Sequence, residues 1–133
     1  MSEKIHVMID EETVEKKVRE MAAQISREYE GKTLHLICIL KGSVFFACEL
    51  AKRITVPVTL DFMSASSYGD GTQSCGRVKI VKDLDESLEG RDVLVVEDII
   101  DSGRTLSYLL QVLQLRRPAS LRCLLYTSPS PRD

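Results

Sequence analysis

The chain has 133 residues, 44% of them hydrophobic, with 18 basic against 20 acidic side chains and a formal charge of -2. That length supports one compact core and is too short for two ordinary domains, and the balanced charge, with no basic block, excludes a nonspecific nucleic-acid binder. No apolar run approaches the roughly 18–20 residues of a membrane span, and the opening MSEKIHVMIDEE lacks the basic-then-apolar order of a secretory signal, so the chain reads as cytosolic.

Between residues 10 and 31 the apolar positions Val14, Val18, Met21, Ala22 and Ile25 recur at helical spacing, with Asp10, Glu11 and Glu12 at the favourable end and Gly31 as a stop. An amphipathic helix is expected. Residues 33–40 form a continuous apolar run of strand length, suited to a strand covered on both faces. Lys41, Gly42 and Ser43 break it, and residues 44–54 are apolar enough for a packed helix before 57–63, PVTLDFM, return to strand composition. Strand, helix, strand in this order is a parallel crossover unit.

Residues 64–77, SASSYGDGTQSCGR, are polar and carry three glycines, which predicts a long exposed loop, and such loops are usually lids or binding loops. Residues 78–81 predict a short strand pairing back, DLDESLEG a change of direction, and 91–97 a buried strand. Leu106, Leu109, Leu110 and Leu113 mark a helix, and 121–126 is the last strand candidate. The alternation predicts an α/β fold with a mainly parallel sheet flanked by helices.

The four cysteines, Cys38, Cys48, Cys75 and Cys123, have neither CxxC spacing nor a histidine at ligand distance, which argues against zinc and against a disulfide framework. Cys38 and Cys123 sit in apolar runs as buried thiols, whereas Cys75, in the polar loop, has no histidine placed to activate it. His35, inside an apolar strand, and His6, near the terminus, read as structural.

The chemistry concentrates in VVEDIIDSGRT. Glu97 and Asp98 close a strand, Asp101 follows three residues on, and Ser102, Gly103, Arg104 and Thr105 open a helix. A helix start offers unpaired N–H groups and positive dipole character to a phosphate, two hydroxyls add donors, and glycine allows close approach. GxxxxGK[ST] and GxGxxG are both absent, so neither common nucleotide loop is present. Acids would repel a phosphate unless they address another part of the ligand, and carboxylates accept from a sugar diol or hold the water shell of Mg²⁺. A phosphate site beside a diol-binding pair describes a ribose 5-phosphate; the alternative is that these acids are solvated residues of a turn, one of them capping the helix.

VVEDIIDSGRT closely resembles the phosphoribosyl-diphosphate (PRPP) motif of type I phosphoribosyltransferases, in the EDIIDSG form of the hypoxanthine and hypoxanthine-guanine enzymes. Leu40–Ser43 resembles the family's pyrophosphate loop, and Ser67 and Tyr68, in SSYGDG, resemble its mobile lid; the similarity runs to about Leu125. The resemblance implies a purine-salvage transferase in which N9 of hypoxanthine or guanine attacks C1′ of PRPP and displaces pyrophosphate with Mg²⁺ as cofactor. It implies that Glu97 and Asp98 address the ribose hydroxyls and, through water, the metal. Asp101 would manage the proton at purine N7, Asp101 to Thr105 would hold the 5′-phosphate, and Lys41 and Gly42 the pyrophosphate, in a cytoplasmic dimer or tetramer.

Family members continue past Leu125 with a purine-contacting lysine, an aromatic that stacks on the base and a metal-linked aspartate, for which YTSPSPRD offers no counterpart. The expected organisation is therefore a partial domain over 1–125, incomplete at its C-terminus, and a disordered or foreign tail over 126–133, with a sheet edge left bare by missing strands. Two other readings stay open, a regulator of the same fold that binds PRPP without turning it over, and a catalytically incomplete fragment.

Overall fold

The computed structural model describes residues 4–8, 14–40, 44–68, 77–98 and 103–127. Six strands and three helices follow in the order β1 (Lys4–Met8), α1 (Val14–Glu28), β2 (Leu34–Ile39), α2 (Val44–Arg53), β3 (Val58–Tyr68), β4 (Arg77–Lys82), β5 (Asp92–Asp98), α3 (Gly103–Gln114) and β6 (Ser120–Thr127). They make one sheet in the order β1-β6-β5-β2-β3-β4, parallel except for the antiparallel β3–β4 pair. This is the α/β architecture expected from the alternation of runs.

The pleat divides the core in two. Leu34, Leu36 and Cys38 of β2 join Leu94, Val96, Leu124 and Tyr126 under α1 and α2, whereas Ile37 and Ile39 join Val93, Val95, Leu121, Cys123 and Leu125 under α3. A strand buried on both faces cannot alternate apolar with polar residues, which is why LHLICI reads as an unbroken run. Helix α1 buries the stripe Val18, Met21, Ala22 and Ile25 and ends before Gly31, whose φ of 83° a side chain would resist.

Two sequence expectations are corrected. Residues 64–68 are strand, not loop: β3 runs on to Tyr68 and pairs with β4 from Ser64↔Lys82 to Tyr68↔Arg77, with Ala65 and Ile80 of the hairpin packed against the core on the α3 face. Residues 69–76 of the expected loop, Cys75 included, lie outside the described residues. Strand β1 is an addition to the elements read from the sequence; it pairs parallel with β6, Lys4↔Cys123 through Met8↔Thr127. Finally, β6 continues two residues past Leu125, and the buried Tyr126 stacks on Phe46 with ring centroids 4.0 Å apart and planes 12° from parallel. Residues 128–133 are outside the described set.

A long-range ion pair ties the first helix to the last strand. Arg122 Nη1 donates to Glu28 Oε1 at 2.7 Å, and its guanidinium lies 5.7 Å from the ring centre of the buried Tyr29. Glu28 also accepts from Gln24 Nε2, and that bond together with Arg122 holds its carboxyl below the ordinary range despite partial burial. Arg122 is the more buried partner and also lies over the Tyr29 ring, so the contact adds a cation–π component to a partly exposed ion pair. Replacing Arg122 by Ala is expected to lower stability by about 1–2 kcal/mol in urea denaturation, with a coupling to Glu28→Gln of about 0.5–1 kcal/mol in a double-mutant cycle; no coupling would mean that the loss is one of packing alone.

Candidate active site

The site forms where the order of the sheet reverses. From β2 the chain crosses through α2 to β3 on one side, and from the adjacent β5 it crosses through α3 to β6 on the other. The two helices lie on opposite faces, so no helix spans the carboxyl ends of β2 and β5, and a crevice is left there. Cys38 is level with Val96, which sets Leu40 at the height of the Glu97–Asp98 end of β5. Leu40 itself is fixed by its N–H, which donates to the Met63 carbonyl at 2.9 Å.

Two of the three sequence motifs meet at this crevice by their flanks. The pyrophosphate loop expected at Lys41 and Gly42 spans from the end of β2 to the first residue of α2, and the acid-and-phosphate loop spans from Asp98 to Gly103. Lys41, Gly42, Asp101 and Ser102 themselves lie outside the described residues. Gly103, Arg104 and Thr105 are the first turn of α3, whose N–H groups have no partner within the helix. Helices α2 and α3 therefore both start at one crevice from opposite faces of the sheet, which suits a ligand carrying anionic groups at two ends.

Glu97 is buried at the end of β5, level with Leu125, and Asp98 is level with Tyr126. Carboxylates are hard oxygen donors of the kind Mg²⁺ takes while keeping several of its waters, and successive residues of a strand turn to opposite faces, so Glu97 and Asp98 address different sides of the strand end. Ser67 and Tyr68 stand apart from these acids along the strand direction. They close β3 five residues beyond Met63, the residue level with Ile39, so the β3–β4 hairpin overhangs the crevice by roughly 16 Å at the ordinary rise of a strand.

One buried acid was missed by the sequence reading. Asp61, in the run VTLDFM of β3, is 2% exposed and accepts from the N–H groups of Phe62, Asp85 and Glu86 at 2.9–3.2 Å. A carboxylate inside an apolar strand was the available signal, since such a group is tolerated only where backbone donors meet it. It lies mid-strand, level with Ile37, and supports the sheet beneath the crevice.

Comparison with known proteins agrees with this geometry. Residues 8–130 match the family of the phosphoribosyl transferase domain. The chain is 47% identical over 127 residues to the hypoxanthine-guanine phosphoribosyltransferase of Bacillus subtilis (strain 168), covering 95% of itself and 71% of that protein. It is 47% identical over 128 residues to the bifunctional protein TilS/HprT of Listeria monocytogenes serotype 4b, of which it spans only 20%. Its fold superposes on a crystal structure of a hypoxanthine phosphoribosyltransferase from Staphylococcus aureus with a TM-score of 0.81 at 39% identity, over 93% of this chain and 70% of the other. Sheet order, crevice, motif and relatives agree: the chain belongs to the phosphoribosyltransferase family, among its hypoxanthine and hypoxanthine-guanine phosphoribosyltransferases.

Proposed function

We propose that the protein moves the 5-phosphoribosyl group of PRPP to N9 of hypoxanthine or guanine, giving IMP or GMP and pyrophosphate. The observation that carries this reading is that β5 ends at Asp98 beside the end of β2, while α2 and α3 begin there from opposite faces of the sheet, so that the flanks of the acid-and-phosphate motif and of the pyrophosphate motif meet at one crevice. PRPP carries a phosphate at one end, a diphosphate at the other and a diol between them, which is the order of groups this crevice can address.

In this reading the first turn of α3, with Ser102 and Thr105, takes the 5′-phosphate, and the backbone of Lys41 and Gly42 takes the pyrophosphate. Glu97 and Asp98 accept from the ribose hydroxyls and hold the water shell of Mg²⁺, which when bound offsets the charge of the departing pyrophosphate. The N9–C1′ bond forms as the C1′–O bond breaks, the electron pair leaves with pyrophosphate, and Asp101 accepts the N7 proton as positive charge builds on the base. Ser67 and Tyr68, at the end of the overhanging hairpin, shield the carbocation-like centre, because water there would hydrolyse PRPP instead. No described helix is long and apolar enough to cross a membrane. Cytoplasmic salvage by a homodimer or homotetramer completes the proposal.

The direct test is mass-spectrometric detection of nucleotide from the purified chain given PRPP, Mg²⁺ and equal hypoxanthine, guanine, xanthine and adenine. IMP or GMP is expected, and folded protein that forms no nucleotide would refute the activity for this chain. Asp101→Asn is expected to keep PRPP affinity while slowing turnover on the order of 10²-fold or more, and an unchanged rate would remove Asp101 from proton transfer. Tyr68→Gly is expected to raise PRPP hydrolysis relative to transfer by about tenfold, equivalent to about 1.4 kcal/mol of differential barrier; an unaltered ratio measured by pyrophosphate and nucleotide release would exclude shielding by Tyr68.

A further inference from the structure

Away from the crevice, the sheet encloses a polar cluster that transfer chemistry does not use. His35 of β2 is 1% exposed and Asp61 of β3 is 2% exposed, with His35 Nε2 3.8 Å from Asp61 Oδ2. Above them runs the segment of residues 83–90, which covers the α3 face of the sheet with Leu84 and Leu88. Asp61 Oδ1 and Oδ2 accept from Asp85 N–H at 3.2 and 3.0 Å, and Oδ2 also accepts from Glu86 N–H at 3.1 Å. One buried carboxylate thus holds the middle of the cover, while the Asp83–Arg116 pair, at 2.8 and 3.0 Å, holds its start.

The charges around His35 select its tautomer. His35 Nδ1 lies 2.6 Å from Thr59 Oγ1, which accepts from Arg91 Nη2 at 3.1 Å and has a proton of its own to give. With the ring proton on Nε2, the neutral ring turns an N–H, and not a lone pair, toward the Asp61 carboxylate, across a gap too long for a bond; Nε2 has no hydrogen-bond partner. Adding a proton to Nδ1 reverses the Thr59 bond and makes the ring a cation beside an anion. The ring and Asp61 then gain by closing the gap, and the pull on Asp61 competes with its hold on the Asp85 and Glu86 amides.

We propose that His35 and Asp61 form a proton-sensitive latch on the segment of residues 83–90, closed while His35 is neutral and opening locally when the ring takes a proton. The charges acting on the ring are Arg91, which opposes protonation, and Asp61 and Glu86, which favour it; Asp85, next to Glu86, faces Lys82 at 3.5 Å instead. Burial, followed by Arg91, holds the His35 pKa below its ordinary value. The sign follows: an open or unfolded chain binds this proton more readily than the closed form, so the latch is fully closed above a pH of about 6.5 and weakens as pH falls below it toward the lower pKa of the closed form.

The test is amide hydrogen exchange by NMR between pH 5 and 8, with His35 followed through its ring signals; His6, the other histidine, is assigned through His6→Gln. Protection of the Asp85 and Glu86 amides, corrected for intrinsic exchange, is expected to fall by up to about tenfold per pH unit of acidification, the limit for one linked proton, while Val95 and Cys123 in the sheet keep theirs. The His35→Gln variant is expected to show no such slope at Asp85 and Glu86. Constant protection in the unmodified protein would overturn the latch, as would an equal slope in His35→Gln or a fall shared by Val95 and Cys123, which marks global unfolding. Should His35→Gln fail to fold, the unmodified protein decides alone, through the match between the His35 titration and the two amides.

Discussion

Two neighbouring parallel strands whose crossovers leave in opposite directions cannot be roofed by the same helix. Everything at the crevice depends on this constraint. Right-handed crossovers place α2 on one face of the sheet and α3 on the other, and the ends of β2 and β5 are left open between two helix starts. At this opening a strand end supplies acids, and a first helical turn supplies N–H groups.

The price of so apolar a sheet is that each polar group inside it must be met locally. Asp61 is met by backbone amides, His35 by the Thr59 hydroxyl, Ser26 by the Ala22 carbonyl and the Thr55 amide, and Arg122 by Glu28 and the Tyr29 ring. Apart from the bond of Ser26 to Ala22 inside α1, these contacts tie together segments that are not neighbours in sequence. Buried polarity therefore sets which segments lie against one another, whereas apolar area supplies most of the driving force.

The same distinction explains what could be read in the sequence. Strands β2 and β5 were legible because a strand covered on both faces is a solid apolar run, and α1 and α3 because one wet face imposes a period of 3.6. Strand β1 was not, since five residues with a lysine and a histidine gain strand character only from the β6 neighbour. The second half of β3 was hidden for the opposite reason: in Ser64 to Tyr68 only Ala65 is packed against the core among the described side chains, too little apolar pattern to mark a strand. The chemistry of VVEDIIDSGRT was local enough to be legible, but its position beside the end of β2 is a property of strand order, which no local pattern encodes.

Pairing β1 with β6 also orders events in time. Strand β1 finds its neighbour only in β6, far along the sequence from it (Lys4↔Cys123), and a contact of such long sequence separation is the kind that slows folding. Until β6 arrives, β5 has one flank open and β1 has no sheet to join, while β2, β3 and β4 can already assemble with the helices between them. The nascent domain thus carries an unpaired strand edge until β6 is made, and this interval is when it is open to association with other chains or to capture by a chaperone.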